Sequence, residues 1–239
     1  QGQSVTIDDA VTVIASGTGG GAGIGGGSDH RGCTLSIQDG KVTVTGGAEG
    51  GSGIGGGSGS VASIKAGGSG VTISGGTVNA TGGAGAAGIG SGANSDYGKG
   101  SYVTITDGTV IANGGKGAAG IGDGANNVAA ADSVISITGG TVKANGGAGE
   151  AAGIGNGEND ARNAAVSISA TNAALDVTAV TQGSGEAITG GDDLTMAKLD
   201  NLFSGVVRFF RSTNHYNTVH NGKYVGMDDN NADEHKETD

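Results

Sequence analysis

The sequence predicts an all-β fold, a right-handed parallel β-helix (solenoid) of about six rungs with a C-terminal cap. Its first basis is a six-residue motif, Gly-Ala-Gly-Ile-Gly-Gly and its variants. The motif recurs along the 239 residues at steps of 30, 35, 32, 33 and 34 residues. A period near 33 indicates one structural unit, here called a rung, copied about six times, as in solenoids and arrays. The glycine-flanked isoleucines are Ile24, Ile54, Ile89, Ile121, Ile154 and, in a less regular copy, Ile188.

The composition supports this fold class. The chain has 55 glycines, no proline and only 3% aromatic residues. Collagen needs proline and a three-residue period, and an ordinary globule needs more aromatic residues, so both classes are excluded. The valines, isoleucines and alanines recur at regular places, which separates the chain from disordered glycine-rich sequence. We therefore expect one elongated domain over residues 1–191.

The first strand of each rung has the pattern apolar, hydroxyl, apolar. This alternation has period 2, so the aliphatic pair faces inward and the Ser or Thr faces outward, as in a half-buried strand. The six copies are Val5-Thr6-Ile7, Leu35-Ser36-Ile37, Val71-Thr72-Ile73, Val103-Thr104-Ile105, Ile135-Ser136-Ile137 and Val166-Ser167-Ile168.

A sharp corner and a second strand follow in every rung. The corners are pairs such as Asp39-Gly40 and Gly75-Gly76, whose residues tolerate the positive φ that a corner requires. The predicted second strands are Val11-Thr12-Val13, Val42-Thr43-Val44, Val78-Asn79-Ala80, Val110-Ile111-Ala112, Val142-Lys143-Ala144 and Leu175-Asp176-Val177.

Antiparallel hairpins are the alternative, because Asp-Gly and Gly-Gly between alternating runs are also strong hairpin signals. Hairpins do not explain the third element, the glycine-flanked isoleucine that follows a further Gly-Gly corner such as Gly82-Gly83. Three short strands in one fixed unit indicate a coil with parallel ladders. Parallel crossovers are nearly always right-handed, which gives the predicted hand.

The last quarter of the chain differs in composition. Residues 192–227 contain all three phenylalanines. Apolar spacings of three and four from Met196 to Phe210 suit an amphipathic helix that begins near Asp192 or Asp193, although Val206–Phe210 would also suit a strand. Because a solenoid end is an open core and an exposed edge, we expect this segment to be a cap. Residues 228–239 have no core-forming pattern and are predicted to be an acidic flexible tail.

Charge and hydropathy exclude several partners. The net charge is −11 and no basic cluster exceeds two neighbours, which argues against nucleic-acid binding. No stretch approaches 18 apolar residues, so no membrane insertion is expected. The single cysteine, Cys33, starts an apolar run, where a buried thiol is the simplest interpretation.

Function is most easily placed in the polar segments of variable length that follow each glycine-flanked isoleucine. A fixed period brings all of them to one side of the coil, here called the loop side. Tyr97, with Asn94, Asp96 and Asn126, is the predicted glycan site, because sugar rings stack on aromatic rings while polar neighbours bind the hydroxyls. The simpler alternative is that Tyr97 only covers a loop.

The acidic residues of the loop side also suggest a metal. Asp123, Glu158 and Asp160 supply the hard oxygen ligands that Ca²⁺ prefers, so calcium is the one cofactor hypothesis that the chain offers. No loop has a twelve-residue calcium pattern, and polar loops are usually only solvated, so no cofactor is predicted and Ca²⁺ is the alternative.

Catalysis has little support in the sequence. Asp39 and Asp107 share a turn position, but an Asp-Gly corner explains both. The four histidines are scattered, with no ligand spacing and no triad context. No catalytic residue is predicted.

The repeated unit, for instance residues 71–90, resembles the glycine-rich β-helix repeats of large secreted or wall-attached bacterial proteins, over about residues 4–191. The resemblance implies an extracellular location and a right-handed β-helix similar to pectate-lyase-like folds, and it carries over no catalytic residue. We expect a non-catalytic module for adhesion or glycan binding, or a structural spacer in a larger surface protein. The alternative is a polysaccharide lyase or glycoside hydrolase on the same scaffold.

Overall fold

The computed structural model describes residues 4–30, 32–59, 70–95, 101–127, 133–160, 164–169 and 175–189, and the backbone of four further strands. No helix occurs among these residues. The strands of the six rungs, in chain order, are β1 (Ser4–Ile7), β2 (Thr12–Ser16), β3 (Ile24–Gly25), β4 (Thr34–Ile37), β5 (Lys41–Thr45), β6 (Ile54–Gly55), β7 (Gly70–Thr81), β8 (Ile89–Gly90), β9 (Tyr102–Asn113), β10 (Ile121–Gly122), β11 (Val134–Ile137), β12 (Gly140–Asn145), β13 (Ile154–Gly155), β14 (Ala165–Ile168) and β15 (Leu175–Val180). The four further strands are β16 (Gly205–Phe210), β17 (Tyr216–His220), β18 (Lys223–Met227) and β19 (Glu234–His235).

The rungs stack as parallel strands, which confirms the solenoid and excludes the antiparallel hairpins. The first strands pair in the order β1, β4, β7, β9, β11, β14, with every pair parallel. Six stacked copies correspond to about five turns. The predicted inner column is in register throughout: Ile7, Ile37, Ile73, Ile105, Ile137 and Ile168. The hand of the coil stays a prediction.

The second strands form a ladder beside the first, and the two ladders join into one wide sheet. In rungs 3 and 4 both strands belong to a single twelve-residue strand, β7 or β9, with an irregularity at the corner. The predicted register is correct for the four middle rungs. It is wrong at both ends, because Val13 and not Val11 pairs with Val42, and Val177 and not Leu175 pairs with Val142. A shift of two residues keeps the same side chains inward, so the apolar pattern alone could not distinguish the two registers.

A second, narrow sheet is built from the glycine-flanked isoleucines. Its five strands, β3, β6, β8, β10 and β13, are two residues long and pair in parallel, isoleucine with isoleucine. The less regular copy at Ile188 continues the ladder as a single bridge to Ile154. The repeated motif therefore forms the third side of the coil.

The core is a stack of aliphatic side chains enclosed by these sheets. Ile37, Ile73, Ile105, Ile137 and Ile168 are completely buried, and so are Ile54, Ile89, Ile121, Ile154 and Ile188 of the narrow sheet. The intervening hydroxyl residues, such as Thr72 and Thr104, are exposed or half-buried. The predicted inward and outward faces are thus confirmed in rungs 2 to 5, whereas Val5 and Val11 of rung 1, predicted to face inward, are exposed.

The corners between first and second strands have the predicted chemistry. Gly40, Gly76, Gly108 and Gly140 all have positive φ, between 75° and 100°. The Asp39 carboxylate accepts a hydrogen bond of 2.7 Å from the backbone N–H of Gly40, and Asp107 does the same for Gly108. Both carboxylates are used to build the corner.

The described residues between 205 and 227 form strands. β16 pairs in parallel with β15, and β17, β18 and β19 follow as antiparallel neighbours. The helix expected up to Phe210 is therefore wrong over Gly205–Phe210, where the strand alternative holds. An added strand satisfies the backbone of β15, which an amphipathic helix would not do. Residues 192–204 lie outside the described part, and the division into a cap at 192–227 and a tail at 228–239 stays a prediction.

Candidate ligand-binding face on the loop side

The loop side turns at the same position in five rungs, the fifth residue after each glycine-flanked isoleucine. This residue has a left-handed backbone in every case, with φ between 53° and 59°. Glycine, asparagine and aspartate are the residues that tolerate this conformation. The five residues are Asp29, Gly59, Asn94, Asn126 and Asn159.

In rungs 3 to 5 the turn residues form an exposed row of amides, here called the asparagine strip (Asn94, Asn126 and Asn159). Asn126 Nδ2 donates to Asn94 Oδ1 at 3.4 Å, and Asn159 Nδ2 donates to Asn126 Oδ1 at 3.2 Å. All three side chains are solvent-exposed. The strip runs from rung to rung, and each amide has hydrogen-bonding capacity beyond these contacts.

Among the clefts that the described residues line, two open ones lie beside the narrow sheet, one near each end of the described rungs. The C-terminal cleft has a volume of about 470 Å³ and is lined by acidic and amide groups, among them Glu150, Asn156, Asn159, Asp160 and Glu186. The N-terminal cleft, of about 510 Å³, is lined mainly by glycines with Ser16, Thr18, Ser28 and His30. The asparagine strip therefore ends at the more acidic cleft.

Beneath the strip lies a buried polar cluster centred on Asp123, here called the Asp123 network. Asp123 is completely buried, two residues after Ile121. Its Oδ1 accepts hydrogen bonds from the hydroxyls of Ser91, at 3.2 Å, and Ser133, at 2.6 Å. Because a buried carboxylate is costly unless it is hydrogen-bonded, these hydroxyls stabilise it in this position.

The network extends to the backbone on both sides of Asp123. Ser133 Oγ accepts from the backbone N–H of Ser101 at 2.7 Å. Asn127 Nδ2 donates to Ser91 Oγ at 3.0 Å, and Asn127 Oδ1 accepts from the backbone N–H of Ser95 at 2.7 Å. Hydrogen bonds thus connect residues of rungs 3 and 4 with Ser133 at the entry to rung 5.

The predicted glycan residues fall partly within the described structure. Asn94 and Asn126 are brought together as neighbours in the asparagine strip. Asp96 and Tyr97 lie outside the described residues. Asn159, which sequence reasoning missed as a site residue, joins the same strip. The signal for it was its place five residues after Ile154.

The three predicted calcium ligands occupy different surroundings. Asp123 is buried in its network, the Glu158 carboxylate lies against Gly149 and Gly117, and Asp160 lines the C-terminal cleft. Among the described residues no group of three His, Cys, Asp or Glu side chains is placed to hold a metal ion. The absence of a bound cofactor, with Ca²⁺ as the possible exception, stays a prediction.

The burial of Asp123 differs from the exposed loop position that its sequence neighbours predict. A signal was present: Ser91, Asp123 and Asn156 stand two residues after a buried isoleucine, where rungs 1 and 2 have Gly26 and Gly56. The single cysteine was placed correctly. Cys33 is buried, and this burial raises the pKa of its thiol.

Comparison with known families supports the repeat unit. A sequence model of the family described as a β-helix repeat matches residues 71–93, 103–125 and 135–158. Each match begins at the first strand of a rung and ends on the loop side. No curated protein and no solved structure matches the chain. None of the described residues forms a helix long and apolar enough to cross a bilayer.

Proposed function

The chain is a β-helix repeat module, and from this premise we propose that it is a non-catalytic extracellular module that binds glycans through the asparagine strip. The observation that carries the proposal is the exposed, hydrogen-bonded row of Asn94, Asn126 and Asn159. Amides both donate and accept hydrogen bonds, which is what sugar hydroxyls require of a binding surface.

The rigidity of the strip favours binding. Each asparagine is held by a left-handed backbone and by its neighbour's amide, so little conformational entropy remains to be lost when a ligand binds. The parallel stacking repeats these amides at about 4.8 Å along the solenoid. A ligand with regularly spaced hydroxyls, such as an extended polysaccharide chain, is matched by such a repeat.

The absence of catalysis and the extracellular location have separate support. Asp39 and Asp107, which share a turn position, each accept a hydrogen bond from the N–H of their own corner glycine. The extracellular location rests on the resemblance of the repeat to those of secreted and wall-attached proteins. A role in adhesion follows from glycan binding if the ligand is carried by a cell surface.

A glycan array and a panel of soluble polysaccharides test the proposal. Asn126→Gly removes one amide of the strip and keeps the left-handed turn, since Gly59 occupies this position in rung 2. Asn79→Ser, on the exposed face of the wide sheet, is the matched control. We expect Asn126→Gly to weaken binding about tenfold, the effect of one or two lost hydrogen bonds, and the control to leave it unchanged.

Each other outcome assigns the function elsewhere. Loss of binding in Tyr97→Ala but not in Asn126→Gly would place the site at the tyrosine. New reducing ends or unsaturated products would support the lyase or hydrolase alternative. The absence of binding by the wild type would contradict the proposal and leave the structural spacer as the surviving interpretation.

A further inference from the structure

We propose that Asp123 is the positioning residue of the asparagine strip. Each of two displayed asparagines is followed by a buried residue: Asn94 by Ser95, and Asn126 by Asn127. These buried neighbours are joined, because the Ser95 backbone N–H donates to Asn127 Oδ1 at 2.7 Å. The displayed amides are therefore attached to the Asp123 network one residue below the surface.

The hydroxyl of Ser91 explains how a carboxylate beneath the surface controls the strip. A serine hydroxyl has one donor and two acceptor positions. The Ser91 hydroxyl donates a hydrogen bond to Asp123 Oδ1. It accepts hydrogen bonds from the N–H of Gly124, at 2.9 Å, and from Asn127 Nδ2, at 3.0 Å. All three positions are occupied, so the direction of the proton towards Asp123 determines where the lone pairs meet Gly124 and Asn127.

Ser133 works in the same way on the other side of the network. Its hydroxyl donates to Asp123 Oδ1 and accepts from the N–H of Ser101, the residue before β9 begins. Asp123 thus orients two hydroxyls that each hold a backbone N–H, one in the turn towards Asn126 and one at the return of the chain to rung 4. Without an acceptor at Asp123, either hydroxyl could rotate away from its N–H donors.

The occurrence of the strip along the solenoid agrees with this role. Rungs 3, 4 and 5 have Ser91, Asp123 and Asn156 two residues after the isoleucine, and the same rungs display asparagines. Rungs 1 and 2 have Gly26 and Gly56 there, and the strip position is Asp29 or Gly59. Asn156, at this position in rung 5, likewise holds a backbone N–H, since its Oδ1 accepts a hydrogen bond from the N–H of Ala164 at 2.8 Å.

Amide hydrogen exchange of the folded full chain, without any ligand, tests the proposal. Asp123→Ala should speed exchange at Ser95 and Ser101 about tenfold, as expected for weakened side-chain acceptors, while Val110 in the wide sheet is unchanged. Asp123→Asn keeps an oxygen acceptor and should restore most of the protection. Ser52→Ala, another buried polar position beside the narrow sheet, is the matched control and should not speed exchange at any of the three amides.

The role in binding depends on the proposed function, and the two can fail separately. If the wild type binds glycan, Asp123→Ala should lower the affinity about as much as Asn126→Gly, with partial rescue by Asp123→Asn. If it does not, the exchange data still decide whether Asp123 positions the strip. If Asp123→Ala does not fold, Ser91→Ala and Ser133→Ala take its place, with faster exchange expected at Ser95 and Ser101, respectively. Unchanged protection at Ser95 and Ser101, or equally faster exchange at Val110, would overturn the proposal.

Discussion

The wide sheet and the narrow sheet enclose the same core by opposite means. In the wide sheet, strands of four to twelve residues bury alternate aliphatic side chains and show hydroxyls to solvent. In the narrow sheet rungs 1 to 5 each contribute one isoleucine and one glycine, and the isoleucines of rungs 2 to 5 are completely buried. Side chains therefore specify the first sheet, whereas the second requires that a side chain be missing.

The glycines of the narrow sheet make this requirement concrete. Gly55, Gly90 and Gly122 have φ between 130° and 141°, a conformation that residues with a side chain rarely adopt. A Cβ at Gly90 would overlap the carbonyl oxygen of Gly122 in the next rung. A thin core can therefore be closed on one side by backbone placed against backbone, with isoleucine as the only large side chain in the described strands of that sheet.

We predict the largest loss of stability for a charge placed in the core beneath the wide sheet. Ile105→Asp places an unpaired charge in a completely buried column, and this costs several kcal/mol, enough to unfold a domain of ordinary stability. Thr104→Asp, one residue earlier and facing outward, should fold and melt close to the wild type. Thermal unfolding followed by circular dichroism compares the two, and equal damage would contradict the assignment of the faces.

We predict the second largest loss of stability for a single methyl group added in the narrow sheet. Gly90→Ala should destabilise the solenoid by about 3 kcal/mol or more, through the unfavourable φ and the overlap with Gly122. Gly70→Ala is the control in the wide sheet, because the nearest atom to its new Cβ is Thr34 Cγ2 at 4.0 Å. Denaturant unfolding should show a change of less than about 0.5 kcal/mol for the control. Similar losses in both variants would remove the distinction between the sheets.

One substitution beside the narrow sheet, Ser52→Ala, is expected to raise the free energy of unfolding. Ser52 is completely buried beside the narrow sheet, and its hydroxyl oxygen makes no hydrogen bond in the described part of the chain. Rungs 3 to 5 have alanine at this position: Ala87, Ala119 and Ala152. Ser52→Ala should therefore raise the free energy of unfolding by about 1 kcal/mol. A loss of stability would mean that the hydroxyl has a partner after all.

The smallest effect concerns calcium on the loop side. We expect millimolar calcium, or a chelator, to leave the melting temperature unchanged. The reason is that Asp123 Oδ1 is occupied by serine hydroxyls inside the fold, while Asp160 lines the C-terminal cleft. A ligand that binds only the folded state stabilises it by mass action, so a rise of several degrees would establish a calcium site and contradict this expectation.

Much of the fold could be predicted because the repeat shows the same side-chain pattern six times. Period-2 alternation places Ile105 inward and Thr104 outward whatever the long-range partners are, and the glycine-flanked isoleucines stack because they recur at one place in each rung. The pattern could not fix the register of the end rungs, since Val11 and Val13 face the same side. Pairing with Val42 decides between them.

The candidate site was predictable only in part. Asn94 and Asn126 were placed on the binding side because the period brings the loops together, but their mutual hydrogen bond depends on the stacking of left-handed turns. Asp123 shows most clearly what could not be predicted from the sequence. Its sequence neighbours, Gly122 and Gly124, are those of a loop, and only the stacked rungs bring Ser91 and Ser133 to its carboxylate.

The sequence by itself determined the repeat, the strands of each rung and the side on which each residue faces, because these depend on local spacing. The tertiary structure alone decided three further features: the register of the end rungs, the strand at Gly205–Phe210 and the buried environment of Asp123. Each depends on groups that are distant along the chain, where hydrogen-bond partners of one rung are supplied by the next. A local pattern specifies which groups need partners, and only the stacked rungs determine which partners they have.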